Sequence, residues 1–158
     1  MGIMTTIVSA ILSFVIAAYG WGLLNKRANK SARRSETFSL ISVVTSILDE
    51  FDSMAENQFK EYINDVDLVG PLQLSKQKCN VQKQQMYEAK FLTRFTVFRA
   101  RLHHLEGRNV VIPAKILIEL KKAMTLSAIN SSISYQKALT ATQKIHQELY
   151  LAFEREYC

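Results

Sequence analysis

The sequence predicts an all-α protein: one N-terminal transmembrane helix, then a cytoplasmic bundle of three or four helices with long antiparallel helices. Three observations predict it. The first 24 residues carry no charged side chain. Helix breakers are scarce, with two prolines and five glycines among 158 residues, so turns are few and helices long. Beyond residue 35, apolar residues return at steps of three and four, the helical period.

The expected organisation is a transmembrane helix over 1–24, a basic juxtamembrane flank over 25–34 and a cytoplasmic helical domain over 35–158. About 20 apolar residues cross a hydrocarbon core of roughly 30 Å, and Ile3 to Leu24 meets that length. Tyr19 and Trp21 lie at its C-terminal end, where aromatic rings favour the headgroup zone. Lys26, Arg27, Lys30, Arg33 and Arg34 follow directly. This one-sided basic flank predicts an N-terminus outside and a C-terminus in the cytoplasm, with the bases gripping anionic lipid. A cleaved signal peptide would carry its charges before the apolar core, whereas here they come after it, although Ala17-Ala18 offers small residues for cleavage. Met1-Gly2 with Thr6 also fits the short N-myristoylation pattern, which adds little to a helix that already spans.

Ser9, Ser13 and Ala17 recur at four-residue spacing, and Ala10, Ala18 and Gly22 form a looser set. Small residues so spaced let membrane helices approach closely, which makes the first set a candidate self-association face. The bland alternative is that such residues are common in membrane helices. The segment holds no ionisable residue, which argues against an ion path through it.

In the next helix, expected from about Ala32 to Ile63 and either separate from the membrane helix or continuous with it, Leu40, Val44, Ile47, Phe51 and Met54 step by 4, 3, 4 and 3. Ile41, Leu48, Ala55 and Phe59 widen this stripe beyond a two-stranded seam, toward the interior of a bundle. Asn64 to Asn80, with Gly70-Pro71, reads as a loop. A third helix is expected from about Val81 to Leu105, with Phe91, Phe95, Phe98, Leu102 and Leu105 on one face. That stripe is core first and a partner or lipid groove second. Glu106 to Asn109 is a turn in which Gly107 supplies the left-handed cap, and Pro113 opens a new helix. Leu117, Leu120, Met124 and Ala128 form the next stripe, and Tyr135, Ala138, Thr142, Ile145, Leu149 and Ala152 continue it. Asn130-Ser131-Ser132 leaves open whether 113–157 is one helix or two, with Ser131 or Ser132 as cap.

The net charge of +6 comes from 20 Lys and Arg against 14 Asp and Glu, but without the five flanking bases the balance is 15 against 14. The basicity thus belongs to the membrane flank, and no nucleic acid is expected as partner. Elsewhere charge is segregated: residues 49–67 hold seven acids and only Lys60, residues 76–101 seven bases and only Glu88. In an antiparallel hairpin these faces attract and set orientation; the alternative is that the basic face of the third helix points at an anionic partner or the inner leaflet.

No catalytic motif emerges. His103 and His104 are neighbours and point about 100° apart on a helix, which is poor geometry for a shared metal. His146 stands alone, and E-x-x-H, H-E-x-x-H, P-loop and G-x-S-x-G patterns are absent. Cys79 and Cys158 form no disulfide framework, and a Cys79–His dyad would need the fold to assemble it. Glu50, Glu56 and Glu61 read as solvated carboxylates, and Tyr87, Tyr135 and Tyr150 as core or rim. No cofactor or metal is expected. The expectation is a non-enzymatic, membrane-tethered module that holds itself or a protein partner at the inner face of a membrane. The alternative is a membrane-active effector, a small toxin or pore component whose anchor oligomerises under control of the bundle. An enzyme built from Cys79 or His103 and His104 is a third reading.

Overall fold

The computed structural model describes the backbone of residues 2–66, 73–125 and 132–157, and the side chains of residues 12–64, 81–125 and 132–157. These residues form four helices: α1 (Gly2–Val66), α2 (Gln73–Glu106), α3 (Ala114–Thr125) and α4 (Ser132–Tyr157). No strand occurs among them. The chain divides into two units, Met1–Thr37 and Phe38–Cys158. The expected membrane helix and the helix after it are therefore one element, α1, consistent with the absence of proline before Pro71. Among the described residues no helix is long and apolar enough to cross a membrane. The expected span Ile3–Leu24 lies partly outside them, because the side chains of residues 1–11 are not described.

The second unit is an up-down bundle. Phe59 stacks on Tyr135 at 4.9 Å and 5°, whereas Phe38 meets Phe153 at 5.9 Å, so α4 runs antiparallel to α1. Phe51 sits among Phe91, Phe95 and Phe98, with ring centroids 5.0, 6.5 and 5.6 Å away. Phe51 lies well before the end of α1 and those rings well beyond the start of α2, so α2 folds back along α1. The stripes read from the sequence form one core: Val44, Leu48, Phe51, Phe91, Phe98, Leu105, Leu120, Ile145 and Leu149 are fully buried. Serine and threonine inside the helices return their hydroxyls to carbonyls three or four residues back, as Thr45 does to Ser42 and Ser53 to Asp49, and so leave the helices unbroken. The short α3 packs mainly against α4 and less against α2.

Several boundaries differ from expectation. Helix occupies 64–66 and 73–80, within the expected loop Asn64 to Asn80, because polar residues around a helix leave no hydrophobic period to read. Gly70-Pro71 and the side chains of 71–80, including Cys79, lie outside the described residues. The segment 113–157 is two helices, and Pro113 stands just before the first, its carbonyl accepting from Ile116 N–H at 3.0 Å. Ala128 and the candidate cap Ser131 fall outside the described residues, as does Cys158, and α4 begins at Ser132.

Gly107 is not the left-handed cap. Asn109 takes that conformation, with φ 64°, and no described glycine has positive φ. Val110 N–H donates to Leu105 O at 3.1 Å and Asn109 N–H to Glu106 O at 3.0 Å, the paired bonds of a Schellman motif with Asn109 at C′. The accompanying apolar residues, Leu105 and Val110, are both fully buried. Burying Val110 decides where α2 stops, and asparagine tolerates the left-handed conformation that results.

Candidate functional site

In the first unit, every described large apolar side chain of the 12–24 segment is exposed, with Phe14 and Trp21 both at 76% and Tyr19 at 72%. An added methyl at Gly20 or Gly22 would meet nothing. Lys26, Arg27, Lys30, Arg33 and Arg34 are exposed and, at about 100° per residue, fall within an arc of about 120°. Ser13, Ala17, Leu24 and Ala28 centre on a line about 130° from the middle of that arc. The candidate association face and the basic flank thus point in different directions. Ser9 lies outside the described side chains.

In the second unit, polar side chains join helices in pairs. Arg94 meets Glu50 through Nε–Oε2 at 2.8 Å and Nη2–Oε1 at 3.0 Å. The acidic part of α1 and the basic part of α2 are thereby joined. Lys144 reaches Glu119 at 3.2 Å, and Asn109 donates to Glu156 at 3.2 Å. Between α1 and α4, the buried Thr142 hydroxyl lies 2.6 Å from Asp52 Oδ1 and 2.8 Å from the Leu139 carbonyl oxygen, and His146 Nε2 lies 3.8 Å from Asp49 Oδ1. Burial raises the Asp52 carboxyl above its usual range, while the Thr142 bond and the charge of His146 oppose the shift.

The residues considered for chemistry do not converge. His103 is exposed and lies 3.1 Å from Glu106, while His104 is exposed beside it. Among the described residues no group of three or more His, Cys, Asp and Glu is placed to hold a metal ion. Glu56 pairs with Lys60 on α1, and Glu61 is exposed. Tyr135 stacks on Phe59, and Tyr150 is exposed. Among the described residues the buried Tyr87 hydroxyl finds no hydrogen-bond partner, and burial pushes its pKa up, away from any role as a base. Thr142 is hydrogen-bonded but buried, so a substrate has no route to it.

A groove of about 780 Å³ runs between α2 and α3. All five residues of the Phe91, Phe95, Phe98, Leu102 and Leu105 stripe are buried, and of these only Phe95 and Leu102 also line the groove. Ile118 stands in it 53% exposed, off the α3 stripe. Arg99 from one wall and Lys121 from the other complete it. The sequence reading missed this place. Its only traces there are an isoleucine off the apolar face and small residues, Ala100 and Ala114, where the helices face each other. Compared with protein families, with characterised proteins and with solved structures, the chain matches none.

Proposed function

We propose that the protein is a non-enzymatic, membrane-tethered helical module that holds itself or a partner at the inner face of a membrane. The observation that carries this reading is the uncovered apolar segment of α1 ahead of the five-base arc. Soluble monomers rarely leave so large a contiguous apolar surface open. Each large side chain there gains roughly 1.5–3 kcal/mol on leaving water, and a bilayer supplies that environment. The uncharged run continues in the sequence from Leu12 back to Met1, toward the length a bilayer requires. Tyr19, Trp21 and the arginines and lysines after them have the order of an aromatic belt and an inner-leaflet flank. Farther along the same helix, apolar residues enter the bundle core, so tether and bundle share one element. The polar pairs within the bundle join helices to one another, as a scaffold requires.

Alkaline carbonate extraction of cells producing the full chain tests the tether. The chain should stay in the membrane pellet, and a form lacking residues 2–24 should be released. Recovery of the full chain in the supernatant would end the proposal.

A further inference from the structure

We infer that the groove between α2 and α3 is a docking site for an acidic amphipathic helix of a partner protein. The inference rests on the partner-holding half of the proposed function and not on the membrane half. The groove exists because α3 leans toward α4 and leaves one face of α2 partly uncovered. On α2 its lining recurs at helical spacing from Leu92 to Glu106. That is 14 residue steps, or about 21 Å at 1.5 Å per residue. A strip of this length takes about four turns of a helix, with apolar anchors at i, i+4, i+7 and i+11. Leu92, Phe95, Leu117 and Ile118 offer the apolar floor.

Charge selects the occupant. Arg99 and Lys121, one on each wall, have no ion-pair partner among the described residues. Glu106, the one acid in the lining, is already engaged by His103 at 3.1 Å. An apolar stripe flanked by carboxylates therefore finds complementary charge on both sides, and one flanked by lysines meets repulsion. A second copy of this bundle fits less well. The acids of α1 lie on the stretch of that helix whose apolar stripe, Ile41 to Ala55, is already spent in the core. A small amphiphile would want an enclosed pocket burying most of its surface, whereas this groove is only half enclosed.

The test uses the full chain, in phosphatidylcholine nanodiscs if carbonate leaves it in the membrane and free in solution if carbonate releases it, and three probes read by fluorescence anisotropy or competition. These are an 18-residue peptide with a leucine stripe flanked by glutamates, the same peptide with lysines for the glutamates, and dodecanoate as competitor. The acidic peptide should bind at least tenfold more tightly than the basic one. The double variant Arg99→Glu, Lys121→Glu should invert that preference, and Ile118→Ala should weaken the acidic peptide several-fold with the melting temperature unchanged. Equal binding of the two peptides, loss of both in the double variant, or dodecanoate displacing the peptide with the same dependence on Arg99 and Lys121 would overturn the inference. Those failures would leave the carbonate extraction result untouched, so the docking site and the tether fall separately.

Discussion

Glu50 and Arg94 face each other through two parallel contacts, 2.8 and 3.0 Å long, across the α1–α2 boundary. Both side chains are close to half exposed, so solvent screens the pair and its net worth stays below about 1 kcal/mol. Its value lies in pairing the acidic stretch of one helix with the basic stretch of the next. A double-mutant cycle with Glu50→Gln and Arg94→Gln, read by urea denaturation, should give a coupling of about 0.5 kcal/mol at low salt. In 1 M salt, where the screening length is about 3 Å, the coupling should vanish. Coupling that survives 1 M salt would mean the pair is shielded from solvent.

Phe51 is fully buried and touches three other rings. Phe51→Ala should cost roughly 3–5 kcal/mol, because the cavity opens where α1 and α2 cannot collapse onto each other. Phe95→Ala, at the floor of the groove, should fall near the lower end of that range, since its cavity can fill with water. Chemical denaturation of residues 38–158 produced alone, which should be soluble and helical, checks the order. Equal losses would place Phe95 as deep as Phe51.

The turn after α2 makes opposite demands on two neighbouring positions. Gly107→Ala places a methyl 3.6 Å from the His104 carbonyl oxygen, an ordinary contact, on a backbone without positive φ. It should be neutral or raise stability by up to about 1 kcal/mol. Asn109→Gly should be tolerated, whereas Asn109→Val forces a branched side chain into the left-handed region and should cost about 1–2 kcal/mol. Thermal melts of the three variants distinguish this cap from the glycine cap that the sequence suggests.

Asp52 carries the fold's clearest pH dependence among the described carboxylates. Its folded-state pKa is raised above the ordinary 3.8, chiefly by desolvation, so the folded state favours the neutral acid. That contribution is fully present below the unfolded pKa and is lost as pH rises through the folded value. Asp52→Asn keeps an acceptor for Thr142 and removes the ionisation. The variant should therefore match the parent near pH 3.5 and equal or exceed it in stability at pH 7. Urea midpoints across that interval measure the difference, and a parent that gains on the variant as pH rises would reverse the sign.

What the sequence disclosed and what it hid divide along physical lines. The core stripes of α1, α2 and α4 were legible because burial imposes a period, and Leu40 to Met54 and Phe91 to Leu105 display it without interruption. The pairing of Glu50 with Arg94 was legible as a pattern, acids over 49–67 against bases over 76–101, because charge is visible without coordinates. The first turns of α2 were not, since a helix polar on all sides has no period. The cap at Asn109 was hidden because it depends on where Val110 finds burial, a tertiary fact. The α2–α3 groove was hidden for the same reason: it arises from the lean and shortness of α3, and no local pattern encodes a gap.

The contact between Asp52 and Thr142 bears on alignment as well as on titration. Apolar helix faces slide past one another at modest cost, and a slip of one turn, about 5.4 Å, often finds another set of hollows. Such a slip of α4 along α1 would leave the Thr142 hydroxyl its Leu139 carbonyl but would strip the half-buried Asp52 carboxylate of its donor. The observed register keeps both groups satisfied, so this polar pair adds to the Phe59–Tyr135 stack in discriminating against slipped packings. Replacing Thr142 with valine would preserve volume and remove the polar share of that discrimination, leaving a helical bundle whose alignment rests on its ring contacts.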